Sequence, residues 1–273
     1  LDNAVELDLH DQVYAPLDMQ MLAWLLPPHG GRVLDAGCGA GAMAAYLAEA
    51  VGAAGSLVAI DVAPEALAKA RRTAAASPAA DRVTFREADL LQLPFESATF
   101  DLAWCSYVLH HISDPVAAAR ELRRVVRPGG RVVVRETSLP LRLLPFDLGI
   151  GPPGLQDRLR VAHNRWFAEH RYAAPVAQPY PWGWTQVLRE AGCLEMTART
   201  FLLELLPPFT PAQQAFLVAT LHTTLDDPDR RAFLDRDDQR TLEALTDEAS
   251  SHYVLNRPDL HVLSGVSLFV GTV

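Results

Sequence analysis

Three carboxylates, a glycine loop and a histidine pair are the parts of this sequence that could do chemistry. The loop lies in VLDAGCGAGAMAAYLAEA (33–50), where an apolar run reaches Asp35, passes Gly37, Gly39 and Gly41, and restarts as an alanine-rich helix. A strand, a glycine turn and a helix start bring unpaired backbone N–H groups to one point, which is how proteins hold nucleotides. Gly37, Gly39 and Ala42 also satisfy the G-x-G-x-x-A spacing of dinucleotide sites, so the loop by itself does not choose the ligand. Asp35 narrows the choice, because a carboxylate at the strand tip repels a pyrophosphate and suits a ligand carrying an amine or a sulfonium. Asp61 ends the next apolar run, 20 residues after Gly41, where a carboxylate accepts from both hydroxyls of a ribose. Asp89, in READLLQLPF, ends a third run and can accept from an exocyclic adenine amine.

The histidines stand in VLHHISDP, directly after a fourth apolar run. Imidazole has the pKa suited to taking a proton from a phenol or an alcohol. His110 is the first candidate for that work and His111 the second, since neighbours on a helix point in different directions. Glu136, at the tip of a fifth run, could orient an imidazole or pair with Arg135 or Arg131. Tyr180, Trp182 and Trp184 in QPYPWGW read either as an aromatic wall or as cement for a loop. Cys38 and Cys105 read as small apolar wall residues, and His222 in AFLVATLHTTL as a helix residue.

These residues need a frame that brings strand ends together. Short β-branched runs at 32–37, 56–61, 82–89, 100–106 and 131–137 alternate with helical patterns at 41–51, 64–76 and 115–126, the signature of a parallel sheet wrapped on both faces. Ser113 or Asp114 can cap the last of these helices, Pro115 fits its first turn, and Pro128-Gly129-Gly130 is expected to end it. After residue 137 the order loosens through 138–183, followed by a helix at 184–191, a strand at 194–205, a helical insertion at 207–258 and a β-rich close at 261–272. The expected divisions are an N-terminal helical cap (1–30), a core (31–137), a lid (138–183), a core helix and strand (184–206), a second, helical lid (207–258) and a last core strand (259–273).

With 33 acidic against 24 basic residues the chain carries a formal charge of -9, which repels phosphate backbones and argues against nucleic acid as a partner. The 3 cysteines lack the spacing of a disulfide framework or a zinc site, so a reducing cytoplasm is expected. The sequence contains neither a long apolar run nor a signal-peptide layout, so membrane insertion is not expected. The chain opens on Leu1 rather than Met, and a trimmed start is expected.

In order and spacing, VLDAGCGAG, VAIDVAP, READLLQLPF, FDLAWCSYVLHHISDP and VVRPGGRVVV resemble the class I S-adenosylmethionine-dependent methyltransferases. They resemble more narrowly the small-molecule branch that includes ubiquinone and menaquinone methyltransferases and many natural-product enzymes. The resemblance covers residues 10–137 and, more loosely, the final strands. It implies an α/β, Rossmann-like, doubly wound, seven-stranded and mostly parallel sheet, with 261–272 as an antiparallel strand beside 194–205 and helical lid insertions. It implies S-adenosylmethionine as cofactor and no metal. Gly37, Cys38, Gly39 and Gly41 would wrap its methionine, with Asp35 on the amino group and Asp61 on the ribose. Val62, Ala88, Asp89 and Leu90 would meet the adenine, and the backbone around Cys105 and Ser106 would face the sulfonium. Tyr14, in DQVYAPLDMQML, resembles an aromatic that covers the cofactor in relatives. The implied partner is a hydrophobic or aromatic methyl acceptor of quinone, polyketide or terpenoid type from bacterial secondary metabolism, bound by a monomer or homodimer. Two other readings stay open. One is an NAD(P)-dependent oxidoreductase, opposed by Asp35 and by the lack of a Tyr-x-x-x-Lys pair. The other is a cyclase, isomerase or non-methylating binder built on the same pocket.

Overall fold

The computed structural model describes residues 4–171 and 180–273. Along the chain run α1 (Ala4–Leu25), β1 (Arg32–Ala36), α2 (Ala42–Ala50), β2 (Ser56–Asp61), α3 (Pro64–Ala75), β3 (Val83–Glu87), β4 (Phe100–Ser106), α4 (Pro115–Val125) and β5 (Val126–Arg142). They are followed by α5 (Leu155–Arg171), α6 (Trp184–Glu190), β6 (Leu194–Leu205), α7 (Pro211–Asp226), α8 (Pro228–Arg231), α9 (Arg236–Thr246) and β7 (Val262–Thr272). The described residues form two compact units, one of Pro16–Ser138, 180–201 and Val266–Val273, the other of 4–15, 139–171 and Leu202–Gly265; 172–179, within the expected lid, lie outside the described residues. No described helix is long and apolar enough to cross a membrane.

The first unit holds the body of a seven-stranded sheet in the order β3-β2-β1-β4-β5-β7-β6. Strands β1 to β5 are parallel, with Asp35 in register with Ala59 on one side and Trp104 on the other. The expected strand at 261–272 is β7, inserted between β5 and β6 and antiparallel to β5; Gly129 N–H donates to Val273 O (2.7 Å) and Val273 N–H to Gly130 O (3.0 Å). Strand order reverses between β1 and β4, so the carboxyl ends of these strands flank a crevice where ligands bind in open α/β sheets. Asp35, Asp61 and Ser106 lie at or next to such ends; Glu136, expected at the tip of its run, lies inside β5, which continues to Arg142, one residue beyond the last pairing with β4 at Ser106–Arg135.

Local chemistry explains the helices. Pro64 opens α3, Glu65 sits in its first turn and Arg72 in its last, both favourable to the helix dipole. Its buried residues Leu67, Ala70 and Ala74 recur at helical spacing. The cap of α4 is Asp114 rather than Ser113: its carboxylate accepts from Ala117 N–H at 2.8 Å. Pro128-Gly129-Gly130 does not end that helix as expected. The helix stops at Val125, and the triplet lies inside β5 at a register shift between Phe100 and Leu102. Proline offers no N–H to the ladder and Gly129 takes φ 78, so the strand bulges there.

In the second unit the stretch after 137 is more regular than expected, because α5 fills 17 residues of it. Leu155, Leu159 and Ala162 are its buried face. Arg158 ties α5 to α9 through Asp238, with contacts of 2.7 to 3.0 Å. Helices α7 to α9 lie within 207–258, where a helical pattern was expected; α7 starts with a reciprocal cap between Thr210 and Gln213.

Candidate active site

The glycine loop is pinned from below. Gly37 N–H and Cys38 N–H both donate to Ile60 O, at 2.8 and 2.9 Å. Gly37 (φ 81) could carry no side chain, since a Cβ would stand 2.2 Å from Val108 Cγ2. Gly39 (φ 50) differs: a Cβ there would meet nothing within 4 Å, so the loop presents bare backbone to open space. Asp61 holds that backbone in place, its Oδ2 accepting from Gly39 N–H (2.9 Å) and its Oδ1 from Ala63 N–H (3.0 Å). Each oxygen keeps a second lone pair, which is what a ribose diol needs.

Asp35 lies beside this loop with 1% of its surface exposed, and its Oδ2 has no hydrogen-bond partner. Burial, followed by the charge of Asp61, pushes its carboxyl up to about 7, against an opposing pull from Arg135. Arg135 itself is buried and paired with buried Asp18 of α1 at 2.6 Å. Its guanidinium lies 4.9 Å over the Tyr107 ring and 3.5 Å from Ser106 Oγ. Tyr107 occupies the left-handed region at φ 56, a strained place for an aromatic residue, and its N–H donates to Arg135 O at 3.0 Å.

Side chains alternate across a strand, so Glu136 projects from the sheet face opposite Arg135. There it meets His110, with Nδ1 2.7 Å from Glu136 Oε2 and only 5% of the glutamate side chain exposed. Neither Arg135 nor Arg131 takes Glu136; Arg131 donates to the carbonyls of Leu25 and Leu26. His110 and His111 sit in the 3-10 turn Leu109–His111 with ring centroids 4.0 Å apart, and His111 is exposed. Burial, then the charges of Glu136 and Asp35, raises the Cys105 thiol well above its usual range; Cys38 is raised in the same way by burial, Asp35 and Asp61. Both thiols are therefore neutral packing groups.

The other expected residues fall in different places. Asp89 is exposed and accepts from Leu91 N–H at 2.9 Å, capping its own turn. Leu90 points into the core at 4% exposure, while Val62 (63%) and Leu91 (39%) are the exposed apolar side chains after β2 and β3. Ala88 N–H donates to Asp61 O at 3.1 Å. Gly41 starts α2 at φ 88. Tyr14 belongs to the second unit, where it stacks on His10 at 4.1 Å and meets the edge of Phe216 at 6.1 Å. Of the aromatic trio, Tyr180 and Trp184 pack on the core of the first unit and Trp182 is exposed. His222 lies 3.8 Å from Asp226 one turn along α7. The sequence reading missed the buried ion pair of Arg135 with Asp18.

These features fit S-adenosylmethionine. A buried carboxylate oxygen without a partner matches a cationic amino acid end, the open backbone at Gly39 leaves room for it, and Asp61 has lone pairs for the ribose.

A sequence profile described as a methyltransferase domain matches residues 34–134. A 2-phytyl-1,4-naphtoquinone methyltransferase of Trichormus variabilis is 30% identical over 173 residues, which are 61% of this chain and 72% of that protein. A 27-O-demethylrifamycin SV methyltransferase of Amycolatopsis mediterranei is 37% identical over 119 residues, 43% of each chain. Other curated relatives are matched over only about 30% of their length. Among solved structures, a geranyl diphosphate methyltransferase in complex with SAM shares the fold, with a TM-score of 0.55 and 16% identity over 94% of this chain and 84% of that one.

Proposed function

This chain belongs to the class I S-adenosylmethionine-dependent methyltransferases, and from that premise we propose that it methylates an oxygen of a hydrophobic or aromatic small molecule, with His110 as base. The observation that carries the proposal is the 2.7 Å contact between His110 Nδ1 and the buried Glu136. A carboxylate on Nδ1 fixes the tautomer that carries its proton there and its lone pair on Nε2, and it stabilises the imidazolium once a proton is taken. Glu136 is thus a positioning residue and His110 the catalytic one, with His111 as the second face of the same turn.

When bound, the cofactor supplies a methyl group on a cationic sulfur, open to in-line displacement. The chain's own residues bind and orient. Asp35 receives the ammonium, Asp61 the ribose hydroxyls, and Gly37 to Gly41 wrap the amino acid end. Val62, Ala88, Asp89 and the backbone of Leu90 take the adenine, while Cys105 and Ser106 line the sulfonium end. Most of the acceleration then comes from holding the acceptor oxygen about 3 Å from the methyl carbon.

Acceptor selection is assigned to Tyr14 with residues 8–24 and to the insertions at 138–183 and 207–258, whose Leu, Phe and Trp content suits an apolar ligand. Support for the acceptor class comes from the relatives named for a naphthoquinone and for a rifamycin. The buried free cysteines suit a bacterial cytoplasm, where the acceptor is a product of secondary metabolism.

The test is incubation with S-adenosylmethionine carrying a deuterated methyl group and a panel of naphthoquinols, polyketide phenols and macrolactone alcohols. Mass spectrometry is expected to find the labelled methyl on oxygen. Label only on carbon or nitrogen defeats the proposal, and so does a substrate isomerised at unchanged mass.

A further inference from the structure

We propose that Arg135, anchored by Asp18, is the positioning residue that favours the anionic form of Asp35 for the cofactor's ammonium, so that this ion pair tunes cofactor affinity without touching the cofactor. The inference rests on the reading that Asp35 receives the ammonium. An ion pair this deeply buried loses hydration that its own attraction barely recovers, and apolar side chains would pack the same space at no such cost. Asp18 and Arg135 are each 4% exposed, and they meet at 2.6 Å. The register places Arg135 beside Ser106 and Asp35 beside Trp104, with β4 between β5 and β1. All four point to the same sheet face, with Arg135 two strands or roughly 10 Å from Asp35.

The charges around Asp35 are few. Asp61 of β2 and burial disfavour its ionised form, and Arg135 of β5 favours it. Cys38 and Cys105 are neutral thiols, Arg71 of α3 acts on Cys38, and Glu136 faces the other side and acts on Cys105. Arg135 is therefore the cation that opposes both disfavouring influences. Asp18 fixes its position and partly cancels its charge. Tyr107 roofs the guanidinium, shielding it from water that would weaken its field.

Two substitutions at one ion pair separate electrostatics from architecture. Asp18→Asn leaves Arg135 less compensated, so Asp35 ionises more readily or as before. Asp18→Asn combined with Arg135→Gln keeps a hydrogen-bonded pair but removes the cation, so Asp35 ionises less readily. The readout is S-adenosylhomocysteine affinity by calorimetry across pH 6 to 9, with melting curves to confirm folding. In the native chain affinity falls as pH drops through about 7. The double variant is expected to move that fall to higher pH, binding about tenfold more weakly at pH 7 and recovering at pH 9. Asp18→Asn is expected to move it down or leave it, and Arg135→Lys to retain the native midpoint. Equal weakening by all three at every pH would mean a scaffold role and overturn the inference. Asp35→Asn separates the underlying reading: if it binds the ligand like the native chain, the ammonium assignment fails. If it abolishes binding while the double variant keeps the native pH profile, the inference fails alone.

Discussion

His110 carries the proposed proton transfer, and its removal has a distinctive signature. His110→Ala is expected to lower kcat by about 100- to 10,000-fold with cofactor affinity unchanged, and the loss should shrink as pH rises and the acceptor ionises unaided. A loss equal at every pH, read from steady-state rates, would count against proton abstraction. Asp35 gives a stability signature. Its folded-state value of about 7 exceeds the ordinary 3.8. Its protonated form therefore favours the fold below about 3.8, and that contribution is lost as pH rises towards 7. Above that, the cofactor-free chain bears the full cost of a buried carboxylate, at most about 4 kcal/mol. Asp35→Asn is expected to raise the melting temperature of the cofactor-free protein at pH 8, to change it little at pH 4, and to weaken cofactor binding. The strand-end places of Asp35 and Asp61 and the His110–Glu136 contact were legible because they follow from residue type and the ends of apolar runs, although β5 runs on past Glu136 to Arg142. Arg135 and Asp18 were not, since a charge in RVVVRETS or in an amphipathic helix reads as solvated until packing covers it.

At the scale of elements, the strand-loop-helix unit around β1 contains two glycines with opposite tolerance. Gly37→Ala drives a methyl group into Val108 and adopts a left-handed φ; it is expected to cost about 2–4 kcal/mol, read from denaturant unfolding, with part recovered by Val108→Ala. Gly39→Ala meets no atom, so its cost is the backbone term of about 1–2 kcal/mol. Its methyl group instead fills the cradle, and calorimetry is expected to show a folded chain with weakened cofactor binding. The parallel strands and their helices matched the sequence pattern closely because propensity, capping and period agree there. Two elements did not. The Pro128-Gly129-Gly130 triplet is a bulge rather than a stop, a choice made by the pairing of β5 with its neighbours. Helix α5 went unseen although Leu155, Leu159, Ala162 and Trp166 recur at helical spacing, because its many charges and the prolines before it read as a loop.

For the molecule as a whole, the formal charge of -9 sets the long-range field. Retention on duplex DNA is expected to be undetectable by filter binding even at about 50 mM salt, where electrostatic association is strong; retention there would overturn the expectation drawn from the charge. The frame and the cofactor end could be read from the sequence because they depend on short motifs in register. The acceptor could not, because no short motif marks its recognition: the proposed segments are helical stretches of mixed composition, and which of their side chains are buried is decided only by packing. One further consequence follows from the register of β1 with β4. Trp104 is fully buried and stands directly beside Asp35. A dry indole emits at short wavelength, and its colour responds to the electric field of a neighbouring ionised group. The chain thus contains its own indicator dye: a fluorescence shift that tracks the proton on Asp35 and vanishes in Trp104→Phe would report cofactor capture without any label.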